Sequence, residues 1–185
     1  MVVCRANVAR SPLAAALLRH ALAGTDIEVV SAGVQATHGA PPARGSVELA
    51  ARRGLDLTAH VSQPVSADLV ADAALVVTMS EAHRDICAHL APGVSARTFT
   101  LRELDRLTTA ADPLPATPDE PARRRLHRLV EAAHLARPWA SPPQGPEDIA
   151  DPMGRDWEHW FALVDELEVL LGRLAARVAG RGTEP

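Results

Sequence analysis

The chain has 185 residues, 47% of them apolar, with 19 basic against 23 acidic side chains and a formal net charge of −4. That length and apolar content can bury the core of one domain spanning residues 1–185, and they exclude global disorder. The acidic balance argues against nucleic acid as a partner, and no apolar run is long enough to span a membrane. The N-terminus lacks the basic segment and apolar core of a signal peptide. The two cysteines, Cys4 and Cys87, make no disulfide framework and suit a reducing compartment, so the chain reads as cytoplasmic.

In chain order, strand-like and helix-like segments alternate, which predicts an α/β fold with a parallel sheet covered by helices. Val2-Val3 lead an apolar run into Cys4. Only Met1 to Val3 precede that cysteine, fewer than the five or six residues of a central strand, so the first strand is short or the chain begins late. Leu13, Ala14, Leu17, Leu18, Ala21 and Leu22 recur at helical spacing over 11–23. Ile27 to Val30 is a β-branched strand candidate. Pro42 to Arg53 reads as a helix stopped by Gly54. Ala73 to Thr78 suits a buried strand. Ser80 can cap a helix reaching about Leu90, and Pro92-Gly93 end it. Arg97 to Leu101 is a fourth strand candidate.

Residues from about 105 to 147 differ in composition, holding eight of the fifteen prolines. Between those prolines, Leu126, Leu129, Val130, Ala133 and Leu135 keep a helical pattern over 121–137. The segment reads as a Pro-rich excursion, either an ordinary surface insertion or a lid beside a site. The last helix is the clearest: Trp157, Trp160, Phe161, Val164, Leu167, Leu171, Leu174 and Val178 form a core-docking stripe.

The segment C-R-A-N-V-A-R-S-P, Cys4 to Pro12, carries chemistry. Five residues separate Cys4 from Arg10, enough for the backbone to curl its N–H groups around one anion. Asn7 tolerates a left-handed backbone. Ser11 is a preferred cap and Pro12 suits a first helical turn, whose N-terminus adds free donors and partial positive charge. Arg10 offers a planar fork that matches two phosphate oxygens. Cys4, central in that field, is favoured as thiolate, the form that attacks phosphorus. The loop residues Arg5, Ala6, Asn7, Val8 and Ala9, with Ser11, are the candidate phosphate ligands.

Here the chain resembles the low-molecular-weight protein tyrosine phosphatases. That family carries V-C-x-G-N-x-x-R-S-P, then S-A-G, then a late D-P acid loop. This sequence has Cys4 to Pro12, Ser31-Ala32-Gly33, Val76-Val77-Thr78-Met79-Ser80 with His83, and Asp148-Ile149-Ala150-Asp151-Pro152-Met153-Gly154 in that order. The resemblance implies a three-layer α/β/α fold with a four-stranded parallel sheet. It implies a phosphocysteine route on phosphotyrosine proteins, with no cofactor and no metal; the eight histidines lack ligand spacing. Two features depart from the family. Ala6 replaces a glycine, which is tolerable only if φ stays negative there. Ala9 replaces a second cysteine that many members place beside the arginine.

A leaving phenolate needs a proton that the loop itself cannot give, so an Asp must come from elsewhere. Asp151-Pro152 and Asp112-Pro113 compete for that role. Asp151 is favoured because a strong helix follows it and the D-I-A approach matches the family. Ser11 can donate to the Cys4 sulfur, act as a plain N-cap, or do both. Val8 resembles the phosphotyrosine branch, since the protein-arginine phosphatase branch has Thr there. Cys87 has the spacing of a resolving cysteine in related thiol-coupled arsenate reductases, but Ser80 stands where those enzymes have another redox cysteine. A catalytically weakened phosphate-binding module is the remaining alternative. Arg123, Arg124, Arg125 and Arg128 form a basic helix face, read as solvated.

Overall fold

A computed structural model describes residues 1–110 and 120–180. Four short strands, β1 (Val2–Cys4), β2 (Ser31–Gly33), β3 (Val76–Thr78) and β4 (Thr98–Thr100), form one sheet in the order β2-β1-β3-β4. All three pairings are parallel. Among the described residues, seven α-helices connect and cover them: α1 (Arg10–Ala21), α2 (Arg44–Ala51), α3 (Ala67–Asp72), α4 (Glu81–Leu90), α5 (Leu101–Ala110), α6 (Ala122–Ala136) and α7 (Trp157–Ala179). The architecture is three-layer α/β/α.

Alternation along the strands divides the core. Val2, Val77 and Phe99 join the large cluster shared with α1, α5, α6 and α7. Val3 and Val76 join a smaller one with Val70 of α3 and Cys87 of α4. Strands buried on both faces therefore read as continuous apolar runs. On α7, Trp160, Val164, Leu167, Leu171, Leu174 and Val178 are buried as expected. Trp157 and Phe161 are not; each is about 40% exposed. Phe161 lies one position, roughly 100°, around the helix from Trp160, and its ring faces the Arg52 guanidinium at 5.4 Å.

Several boundaries differ from the sequence expectations. The second strand is Ser31–Gly33, not Ile27–Val30. Its ladder partner begins at Val2, which pairs with Ser31, so only the Val30 carbonyl at the end of the earlier run takes part, accepting from the Val2 N–H. Helix α2 is shorter at both ends than 42–53. Helix α5 carried a signal that composition hides: the Thr100 hydroxyl accepts from the Glu103 N–H while the Glu103 carboxylate accepts from the Thr100 N–H, a reciprocal capping box. Helix α6 belongs to the core. Leu126, Leu129, Val130 and Ala133 pack into the large cluster, while Leu135 is exposed. Its arginines are partly paired: Arg128 and Arg124 meet Glu120, and the Arg125 guanidinium donates to the Ala179 carbonyl. Among the described residues no helix is long and apolar enough to cross a membrane.

Candidate active site

Cys4 is the last residue of β1, opposite Gly33 of β2, so the loop that follows emerges at the carboxyl edge of the sheet. The backbone bends at Asn7, whose φ of 54° is the only positive value at a non-glycine residue among those described. A left-handed asparagine costs on the order of 1 kcal/mol. Four contacts offset it. The Asn7 amide nitrogen donates to the Ser11 and Ser31 hydroxyls, each at 2.9 Å. Its amide oxygen accepts from the Gln63 N–H at 3.0 Å, and its backbone carbonyl lies 2.9 Å from His60 Nε2. Asn7 is fully buried with every polar group used. Ala6 keeps a negative φ, so the missing glycine brings no backbone strain.

The loop also needs bare space beside it. A Cβ on Gly33 would lie 2.7 Å from the Asn7 nitrogen and 2.8 Å from the Arg5 carbonyl oxygen. Outside that contact, Arg5 is exposed and donates to Gln35. The Val8 carbonyl accepts from the Ala43 N–H, and the Ala9 carbonyl from the Ser46 hydroxyl. These bonds tie the far side of the loop to the start of α2.

The Cys4 side chain is buried, and its sulfur accepts from the Asn7 N–H at 3.3 Å and the Ser11 hydroxyl at 3.0 Å. Ser11 is not the N-cap. Helix α1 begins one residue earlier, at Arg10, with Ala9 as an N-cap that makes no side-chain bond. The Ser11 hydroxyl is directed to the sulfur instead. The first N–H groups of α1 have no intrahelical acceptor, which leaves them for an anion. This set of donors can hold negative charge on sulfur and on an oxyanion above it.

Arg10 joins the two halves of the site. Its Nη1 donates to the Ile149 carbonyl at 3.0 Å and its Nη2 to Asp151 Oδ2 at 2.5 Å, across 139 and 141 residues of sequence. Its Nε is buried without a partner among the described residues. Such a donor suits an incoming anion. Asp151 is 40% exposed, and its other oxygen accepts from the Met153 N–H. Asp112 lies outside the described residues.

The approach to Asp151 is fixed step by step. The Pro146 carbonyl accepts from Arg102, and buried Glu147 accepts twice from Arg106. Asp148 Oδ1 accepts from the Glu81 N–H at 2.8 Å, and the Ile149 N–H donates to the Met79 carbonyl at 2.9 Å. His83, in the first turn of α4, is buried, with Nδ1 unpartnered among the described residues. Burial first, then the Arg10 cation, pushes its pKa down to about 4; Asp148 and Asp151 pull the other way, and Arg5 adds a smaller downward push. The imidazole is neutral at physiological pH.

Comparison with known proteins reads on this geometry. The sequence profile described as low molecular weight phosphotyrosine protein phosphatase matches residues 1–136. The chain belongs to that family. It is 33% identical over 135 residues to a probable low molecular weight protein-tyrosine-phosphatase, EpsP, of Ralstonia nicotianae, covering 73% of this chain and 86% of that one. It is 30% identical over 179 residues to a protein-arginine-phosphatase of Geobacillus stearothermophilus, covering 96% and 94%. The structure of a YwlE mutant from Bacillus subtilis superposes with a TM-score of 0.70 at 27% identity, covering 96% of each chain. The protein is a phosphatase by kinship.

The residues expected from sequence to form the site are gathered in one place: Cys4 to Ser11 in one loop, with Asp151 against Arg10. Sequence reasoning gave no role to His60, Gln63, Ser31 or Gly33. His60 and Gln63 sit in an irregular stretch with no motif, and only the S-A-G triplet hinted at the others. Cys87 is fully buried on α4, and burial pushes its thiol up to about 11.

Proposed function

We infer that the protein hydrolyses phosphotyrosine in phosphorylated proteins through a phosphocysteine. The Cys4 thiolate attacks phosphorus, forming an S–P bond as the P–O bond to the phenol breaks. Asp151, protonated for this step, gives its proton to the leaving oxygen. Water then attacks the phosphocysteine and yields its proton to Asp151, while the Ser11 hydroxyl stabilises the departing sulfur. Arg10 and the loop N–H groups hold the three equatorial oxygens throughout. The observation that carries this reading is the meeting of Arg10 with both loops, since one guanidinium touches Asp151 and closes the Cys4 cradle.

The scheme implies order at Arg10. A bidentate phosphate takes its donors, so the substrate displaces the Asp151 carboxylate and frees it to carry a proton. The reducing cytoplasm that preserves a free thiol is the compartment that suits this chemistry. Buried Cys87 does not support thiol-coupled arsenate reduction, and the complete Cys4, Arg10 and Asp151 set does not support an inert binding module.

Phosphoarginine is the second reading, because the arginine phosphatase aligns along nearly the whole chain. Val8 favours phosphotyrosine: it offers methyl groups where that branch offers a threonine hydroxyl. Parallel assays on one peptide carrying phosphotyrosine or phosphoarginine, with arsenate reduction alongside, decide among the readings. The expected result is faster phosphotyrosine turnover, and Val8→Thr narrows the gap. Preference for phosphoarginine in the unmodified protein reverses the assignment.

A further inference from the structure

The acid loop has a root fixed by hydrogen bonds and a tip that packs through buried Pro152 but has few polar ties. Root residues 146–149 are bound at four successive positions by α5, by the end of β3 and by the start of α4. From Ala150 to Arg155 the only bonds among the described residues are internal, except for the Asp151–Arg10 pair. The root therefore sets where the carboxyl of Asp151 can reach.

Nearest the tip, two contacts are made through Arg10 and two through Met79 and Glu81, where β3 leads into α4. On the α4 side, Ser80 Oγ accepts from the His83 N–H, and Asp148 Oδ1 takes the neighbouring free donor, Glu81 N–H. The Ile149 N–H adds its bond to Met79. On the Arg10 side stand the Ile149 carbonyl and Asp151 itself. A phosphoryl group that takes the Arg10 fork removes that side. Thereafter the stretch nearest Asp151 depends on Asp148 and one backbone bond. His83 reports the same enclosure, since Asp148 and Asp151 face it from the acid loop, Arg5 and Arg10 from the phosphate loop.

We propose that Asp148 is a positioning residue for the acid step: by capping α4 through Glu81 N–H, it holds Asp151 over the leaving group once substrate has engaged Arg10. This rests on the reading of Asp151 as the general acid. It assigns Asp148 a role in kcat and not in phosphate affinity, because its bond lies away from the cradle and matters most after the cradle is filled.

The experiment pairs two substrates, phenyl phosphate with a poor leaving group and para-nitrophenyl phosphate with a better one, with inhibition by inorganic phosphate as the affinity readout. Asp148→Ala should slow phenyl phosphate by roughly 10–100-fold, the scale of a misplaced group. It should leave para-nitrophenyl phosphate within about 3-fold and phosphate inhibition unchanged, and Asp148→Asn, whose amide oxygen can still accept from Glu81, should recover most of the loss. Equal slowing of both substrates, or an Asn variant as poor as Ala, overturns the proposal. Asp151→Asn serves as the separate check. If it shows no leaving-group dependence, the acid assignment has failed; if it does while Asp148→Ala does not, only the role of Asp148 has.

Discussion

The two loops that meet at Arg10 are built on opposite plans. The phosphate loop, Cys4 to Ser11, is a closed web in which Asn7 alone makes five bonds and the sulfur accepts two, one of them from Asn7. The acid loop is hydrogen-bonded at its root, and at its tip, where Pro152 is buried, a single ion pair is the one polar tie to the rest of the protein among the described residues. On the proposed mechanism, the difference follows from the work of each. A cradle for a trigonal-bipyramidal phosphoryl group gains from donors fixed in advance, because reorganising them during reaction is costly. A group that gives and takes a proton must leave its ion pair, approach a leaving oxygen and admit water. A dense web in one loop and a sparsely tied tip in the other are two answers on one scaffold.

The contrast can be broken most severely at the sulfur. Cys4→Ser should bind vanadate or phosphate yet lose turnover by roughly four to six orders of magnitude, as removal of other nucleophiles does. Arg10→Lys should be crippled as well despite its retained charge, since an ammonium cannot bind two oxygens in a fork. Steady-state assays with an aryl phosphate check both, and Cys87→Ser is the control that should keep its activity.

The acid loop should respond selectively. Asp151→Asn is expected to lower kcat by roughly 10²–10⁴-fold for leaving groups of high pKa and far less for those of low pKa. It should also flatten the alkaline limb of the kcat/KM profile. Inorganic phosphate should inhibit this variant more tightly, because the carboxylate that competes for Arg10 is gone. Weaker phosphate inhibition would show that Asp151 supports the cradle, erasing the distinction between the loops.

The rigidity of the web can be probed without touching its chemistry. Gly33→Ala puts a methyl 2.7 Å from the Asn7 nitrogen, so the loop must shift. A displacement approaching 1 Å should reduce turnover by about 10²-fold while the sheet stays folded. Both circular dichroism and activity are needed, since unchanged activity would mean that the cradle is softer than its bonds imply.

The smallest effect concerns stability. His83 has a folded-state pKa near 4, against 6.5 for an unperturbed histidine. The unfolded chain binds the proton more tightly, so the neutral ring stabilises the fold above about pH 6.5, and that contribution is lost as pH falls toward 4. Replacing His83 with Phe should flatten the loss in that window by roughly 1–2 kcal/mol, after allowance for solvent screening. Denaturant titrations at pH 7, 5.5 and 4 would read it, and parallel curves for both proteins would remove His83 from the account.

The same division governs what the sequence reveals. Both groups that hydrogen-bond to the Cys4 sulfur lie within seven positions of it, so spacing alone makes the cradle legible. Asn7 announces its left-handed turn, and Arg10 and Ser11 follow at fixed offsets. The supports of Asn7 are distant and unmarked: Ser31, His60 and Gln63 lie 24 to 56 residues away. Asp151 was found through its neighbours Pro152 and α7, while Arg106 and Glu147, which fix its root, form an ion pair across 41 residues with no local signal. Strand positions followed from apolar runs except at β2, where register with β1 outweighed β-branched composition. The sequence expectations do not include helix α5, although its capping box is written in Thr100 and Glu103.

Gly33 has a bearing on transplantation. Copying Cys4 to Ser11 onto another strand–helix junction would carry over the nucleophile, the arginine and the turn, yet the grafted segment would meet a side chain on almost any neighbouring strand. The donor motif is therefore eight letters long only on paper. Its smallest portable unit is two adjacent strands, one ending in cysteine and the other bare at the position alongside, together with the serine two residues before that bare position, which receives the asparagine. Searches for such centres in unrelated folds gain selectivity by requiring that pair rather than the linear pattern alone.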